Sequence, residues 1–274
     1  MNSLATTSLH ERAYHCLMQN EPGDKAACVS LLAEQWQRQD LQLHDENAAR
    51  ALPVPGRPER PHLVAPARVP KRSVHTQAGR LRLAHAIAHI EFNAINLALD
   101  AVYRFRGMPP QYYSDWLQVA QEEAKHFTLL NDYLQQHGSA YGEFDAHNGL
   151  WEMALKTDHD VLVRMALVPR VLEARGLDVT PGMIRRLQQT GDSRLIAILQ
   201  LIFDEEIGHV KIGSRWFQYC CRQRGLNPED TFVDLLQQYM KQGLAGPFEM
   251  EARKAAGFSE QEMQRLVQIT TATG

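Results

Sequence analysis

Apolar residues recur three and four positions apart along most of this chain, the period of helices with one buried face. The longest such pattern runs from about Thr76 to Arg106 and stops at Gly107-Met108-Pro109-Pro110. A second begins near Ser114, a good N-cap, and ends at Gly138, a residue suited to follow a helix. A third region spans about Leu150 to Arg175, with a break near Thr157–Asp160 that Asp158 or Asp160 can recap and a proline, Pro169, that should kink it. Thr180-Pro181 reads as the start of a short helix ending near Gly191, and Asp192 or Ser193 opens a last long helix that reaches about Arg224.

Shorter helical patterns flank these four. Thr7 to Gln19 comes first, Gly23 breaks it, and Asp24 caps Lys25 to Gln39. At the other end, Asn227-Pro228 starts Glu229 to Gln242, and Ser259 opens a final helix with Glu262 at the capping-box position. Residues 52–70 hold six prolines, a density that excludes a helix or a central strand. The expected organisation is a helical extension over 1–50, a proline-rich basic linker over 51–75, a helix bundle over 76–226 and a helical cover over 227–274.

The chemistry stands out against the apolar stripes. Glu91 sits among Ala84, Ile87, Ala88, Ala94, Ile95 and Ala98. A carboxylate in such a stripe is costly to bury unless something compensates it, and a metal ion would. The second and fourth long helices each carry Glu-x-x-His: Glu123 with His126, and Glu206 with His209. Residues three apart share a helix face, so each pair projects a carboxylate and an imidazole together. Neighbouring Glu122 and Glu205 compete for these roles. Glu122 shares its face with Asp115, Gln118 and Lys125, which favours Glu123, whereas local burial does not choose between Glu205 and Glu206. Glu173, beside Pro169 and Arg170, is the fourth carboxylate, with Glu152 as its alternative; His85 and His89 read as ordinary core histidines.

The spacing repeats. Glu91 precedes Glu123 by 32 residues, and Glu173 precedes Glu206 by 33. Antiparallel helices of that length return to one height along a bundle, at about 1.5 Å per residue. Four carboxylates and two histidines, Glu91, Glu123, His126, Glu173, Glu206 and His209, make a six-ligand box for two metal ions. Hard oxygen donors with one imidazole per ion suit two iron ions, or iron plus manganese.

The bulk properties narrow the setting. The chain has 274 residues, 44% of them hydrophobic, with a formal net charge of −3. That balance makes no general case for nucleic acid or an anionic membrane. A local one rests on Arg57, Arg60, Arg68, Lys71, Arg72, Arg80 and Arg82. The polar N-terminus and the lack of an apolar run near 20 residues point to a cytoplasmic protein. Cys16, Cys28, Cys220 and Cys221 show no CxxC spacing and read as reduced, buried thiols.

The six-residue set resembles that of the ferritin-like di-iron carboxylate superfamily. The stretch from Ala84 to Gly225, including Trp151-Glu152 and Val168 to Asp178, is similar to a bacterial ferritin-like family known as a domain of unknown function. The resemblance implies an all-α fold, a ferritin-like antiparallel four-helix bundle with N- and C-terminal additions. It does not imply a reaction; the donor set, and terminal additions that a plain storage shell would not need, point to a di-iron or iron–manganese oxidoreductase using dioxygen on an organic substrate, with an electron-donor protein and a homodimer as further expectations. Two other activities occur in such bundles: a tRNA-modifying hydroxylase, which the basic stretch would serve, and an iron-binding ferroxidase without an organic substrate.

Overall fold

A computed structural model describes residues 8–43, 48–69, 73–240, 244 and 246–272. The fold is all-α. Among the described residues no strand forms, only isolated bridges at Ser8/Gln42 and Leu63/Ala146. Among the same residues no helix is long and apolar enough to cross a membrane. The chain divides into two compact units, Met1–Leu155 and Lys156–Gly274.

The first unit is built on α3 (Gln77–Arg104) and α4 (Pro110–Gln136), which pack along each other. The Thr76 hydroxyl caps α3 by accepting from the Gly79 amide. Gly79 must lack a side chain, because a Cβ there would overlap the Ser73 carbonyl. Helix α4 starts earlier than the expected Ser114 cap. Proline at its first position presets the helical φ, and the Ser114 hydroxyl instead donates back to the Pro110 carbonyl, 3.3 Å away. Gly138, with φ of 73°, follows the end of α4 as expected.

Helices α1 (Leu9–Leu17) and α2 (Pro22–Gln37) pack on α3 and α4 respectively, and on each other. Helix α2 starts at Pro22, so Gly23 and Asp24 lie in its first turn rather than before it. Cys16 and Cys28 form a disulfide, contrary to the expectation of reduced thiols; the α1–α2 packing brings their Cα atoms to 5.4 Å. Cys220 and Cys221 are free and buried. The proline-rich segment is anchored on this unit, with the Leu63/Ala146 bridge at one end and the Trp151 indole donating to the Pro53 carbonyl at 3.1 Å. Pro70, Lys71 and Arg72, part of the basic stretch, lie outside the described residues.

Lys25 is fully buried, and its ammonium nitrogen donates to the last carbonyls of α1, Leu17 at 2.6 Å and Cys16 at 3.3 Å. Burial pushes its pKa down to about 7. The unfolded chain therefore binds the extra proton between pH 7 and the usual lysine range, so stability rises with pH across that window. The slope is at most about 1.4 kcal/mol per pH unit. Lys25→Met should flatten it, as urea titrations at pH 7, 8 and 9 would show; an unchanged slope contradicts the assignment.

The second unit centres on α8 (Ser193–Gln223), capped by the Asp192 carboxylate accepting from the Leu195 amide. Helix α5 (Gly149–Lys156) leads into it from the first unit. The expected break follows, and Asp160 recaps the chain for α6 (Val161–Leu167) by accepting from the Leu162 amide at 2.8 Å. A π-helical turn, Val168–Glu173, comes next and contains Pro169. Helix α7 (Ala174–Gln188) then continues through Pro181, so Thr180-Pro181 is not a start. Ala174, Leu177, Thr180, Ile184 and Leu187 keep one buried stripe across the proline. Burial of that face outweighs the one backbone bond the proline removes. Helices α9 (Pro228–Tyr239), α10 (Met250–Ala255) and α11 (Glu260–Ala272) complete the unit, and α9 ends before the expected Gln242, with Lys241 to Gly243 outside the described residues. At α11 the capping box forms as expected. Ser259 N donates to Glu262 Oε2 at 2.8 Å, and Glu262 N donates to Ser259 Oγ at 3.1 Å.

Candidate metal centre

In the first unit α3 presents Glu91, and α4 presents Glu123 and His126 one turn apart. Glu91 is 3% exposed, and Glu123 and His126 are fully buried. His126 Nδ1 lies 3.0 Å from Glu91 Oε2 and 3.6 Å from Glu123 Oε2. One donor atom from each of the three lies within 4.8 Å of the others, so this buried group could hold a metal ion.

The protons of this triplet belong to the group rather than to single residues. Burial, and then the Glu123 charge, raise the Glu91 carboxyl to about 7, against the pull of His126. Burial would lower His126, but its bonds to Glu123 and Glu91 outweigh that and raise it to about 11. The direction that stands is that of His126: a cation between two carboxylates is the arrangement these buried groups prefer. The triplet is built to surround positive charge.

In the second unit the π turn carries Glu173, and α8 carries Glu206 and His209. All three are buried, with Glu206 at 9% and Glu173 at 8% exposure. His209 Nδ1 lies 3.4 Å from Glu206 Oε1. The other Glu206 oxygen, Oε2, is buried with no hydrogen-bond partner among the described residues. A buried carboxylate oxygen in that condition is costly, and a cation would offset the cost.

The competing glutamates fall on wetter positions. Glu122 is half-buried and accepts from Gln118 at 3.0 Å on the surface of α4. Glu205 is also half-buried, so burial favours Glu206, a choice that sequence left to symmetry. Glu152, the alternative to Glu173, is exposed. His85 and His89 are engaged elsewhere. His85 Nε2 accepts from the Gly142 amide at 2.9 Å. His89 Nε2 lies 3.1 Å from both the His147 carbonyl and Asn93 Nδ2, and its Nδ1 shares a 2.9 Å hydrogen bond with the Tyr141 hydroxyl. Burial holds His89 down at about 4, a neutral ring in a filled polar network.

Pro169 explains how Glu173 is placed. A Cβ added at Gly213 of α8 would overlap the Pro169 ring, so the π turn approaches α8 at this glycine. Glu173 follows Pro169 by four residues, and Gly213 follows His209 by four. Gly213→Ala should therefore cost about 1–3 kcal/mol through overpacking, despite alanine's better helix propensity. Gly208→Ala on the same helix meets nothing within 4 Å and should stabilise by about 0.5–1 kcal/mol. Paired denaturation curves test both signs.

A cavity of about 820 Å³ lies between α2 and α4, lined by Trp36, Gln37, Ser114 and Gln118 among others. None of its lining residues is a candidate ligand, and it sits on another face of α4 from Glu123.

A buried pair in the second unit, Arg170 with Glu262, was not foreseen from the sequence, which gave Glu262 only its capping role. Arg170 is fully buried and donates to Glu262 Oε1 at 2.6 Å. The signal was present: an arginine inside Val168-Pro169-Arg170-Val171-Leu172 has no apolar reason to be there.

The profile of a family described as "Protein of unknown function (DUF455)" matches residues 18–264. A protein of Haemophilus influenzae, described as an uncharacterized protein, is 48% identical over 219 residues, covering 77% of this chain and 76% of that one. No solved structure matches.

Proposed function

We propose that this chain, which belongs to the DUF455 family of proteins of unknown function, is a metal-dependent oxidoreductase that holds two ions with two sets of ligands. Glu91, Glu123 and His126 form one set, and Glu173, Glu206 and His209 the other. The observation that carries the proposal is the repeat: each compact unit buries two carboxylates and one histidine, with the histidine three residues after a glutamate. Six such donors are what a di-metal carboxylate bundle uses, and ferritin-like proteins are the resemblance that supports it.

The residues fit hard cations. The donors are oxygens with one imidazole per set, and neither set contains a thiol, which suits iron or an iron–manganese pair. Glu206 Oε2 is an orphaned buried acceptor, and in the first set His126 Nδ1 lies 3.0 Å from Glu91 Oε2 and 3.6 Å from Glu123 Oε2. Two ferrous ions, when bound, supply electrons for the reduction of dioxygen. The protein side chains do the rest. The four carboxylates offset the ions' charge and His126 and His209 supply the nitrogens, while the apolar stripe around Glu91, with Ala84, Ala88 and Ile95 fully buried, keeps water from the donors.

An organic substrate oxidised with dioxygen is the reading we favour. The ferroxidase and tRNA-hydroxylase readings make different predictions for one experiment. Protein loaded anaerobically with ferrous iron is exposed to dioxygen, and oxygen uptake is followed in three arms: with excess ferrous iron, with a panel of small organic substrates plus reductant, and with unmodified tRNA plus reductant. Turnover stimulated by an organic compound supports the proposal. Turnover only with excess iron supports the ferroxidase, turnover only with tRNA the hydroxylase, and no uptake in any arm overturns all three.

A further inference from the structure

The π turn that carries Glu173 is also tied to the C-terminal helices, through Arg170. Arg170, three residues before Glu173, places its guanidinium 4.7, 4.3 and 4.4 Å from the ring centroids of Phe217, Phe232 and Phe258. Glu262 is the carboxylate that meets it, at 2.6 Å. Arg170 Nε and Nη1 are buried without a hydrogen-bond partner among the described residues, so the cation rests on one carboxylate and three ring faces. Glu262 is itself fixed, because its second oxygen is taken by the Ser259 amide.

A second clamp lies just beyond Glu173. Asp178 on α7 accepts from Arg253 of α10 through both oxygens, at 2.9 and 2.7 Å, and from the Glu249 amide at 2.9 Å. Arg253 is 2% exposed. Two buried arginine–carboxylate pairs therefore bracket the candidate ligand, and each ties its segment to the C-terminal elements. Apolar residues of similar volume would join these helices at least as strongly, since desolvation cancels most of a buried pair's attraction. What directional pairs add is register: a π turn has no regular ladder to fix its phase, and a slip of one residue would turn Glu173 away.

We propose that Arg170, clamped by Glu262, is the positioning residue that aims Glu173 as a ligand. This rests on the metal reading above. The C-terminal helices then act in metal binding without contributing a donor.

The test uses cobalt(II) titrated into the full-length metal-free chain, counting bound ions and recording their visible spectrum. Arg170→Met/Glu262→Met removes the clamp while keeping the volume apolar. It should stay folded by circular dichroism, yet bind one of the two cobalt ions at least tenfold more weakly and with an altered spectrum. Glu262→Gln, which keeps both the volume and the capping geometry, should shift the spectrum the same way and guards against a double variant that fails to fold. Arg265→Ala/Asp230→Ala breaks the exposed 2.7 Å pair between α11 and α9 and should bind both ions as wild type does. Folded clamp variants with wild-type affinity and spectrum overturn the positioning role. A wild-type chain that binds no cobalt overturns the metal reading itself.

Discussion

His126→Ala is expected to lower the metal content of the purified protein towards zero. His126 is the nitrogen donor of the α3–α4 triplet and lies 3.0 Å from Glu91 and 3.6 Å from Glu123. Its removal leaves two buried carboxylates with neither an imidazole nor the geometry to hold an ion between them. His209→Ala should do the same in the second unit, where His209 stands 3.4 Å from Glu206. Alanine also opens a cavity at a fully buried position, so each variant should be compared with glutamine at the same site, which restores most of the volume without the imidazole. Elemental analysis of the four variants decides the matter. Wild-type iron stoichiometry in both alanine variants would sink the ligand assignment.

Glu262→Ala is expected to destabilise the second unit by about 3–5 kcal/mol, because it leaves the Arg170 cation buried and uncompensated. Glu262 is 3% exposed and Arg170 is fully buried, so water cannot replace the lost carboxylate without opening the Phe217, Phe232 and Phe258 contacts. The loss should persist in high salt, since a buried pair is little screened. Arg170→Met/Glu262→Met should recover most of the stability. A urea series on the single and double variants measures both, and a loss below about 1 kcal/mol for the single variant would show that the pair is not the buried contact described.

Much of the candidate site was legible because its chemistry conflicts with its surroundings. Glu91 stands in an alanine and isoleucine stripe, and Glu123 is separable from Glu122 by the polarity of the adjoining face. Glu206 was not separable from Glu205, because α8 is apolar on several sides, and only burial in the folded unit distinguishes them.

The helix starts were less legible. Proline marks a first position at Pro110 and Pro228 but sits inside α7 at Pro181, where a continuous buried stripe overrides it. The π turn at Val168–Glu173 has a local cue in Pro169, yet its depth depends on Gly213, 44 residues later. The Cys16–Cys28 bond also depends on helix pairing: neither cysteine has a motif, and only the packing of α1 on α2 brings them together. The role of Glu262 was half visible. Its capping box could be read from Ser259, but its partner Arg170 lies 92 residues away.

The most direct test of the central claim is the metal content of the full-length chain. Protein purified anaerobically, then reconstituted with ferrous iron or with iron and manganese and freed of loose ions, is measured by elemental analysis against protein concentration. The account predicts about two tightly bound ions per chain, the number six such donors hold. A chain that retains none under these conditions contradicts it.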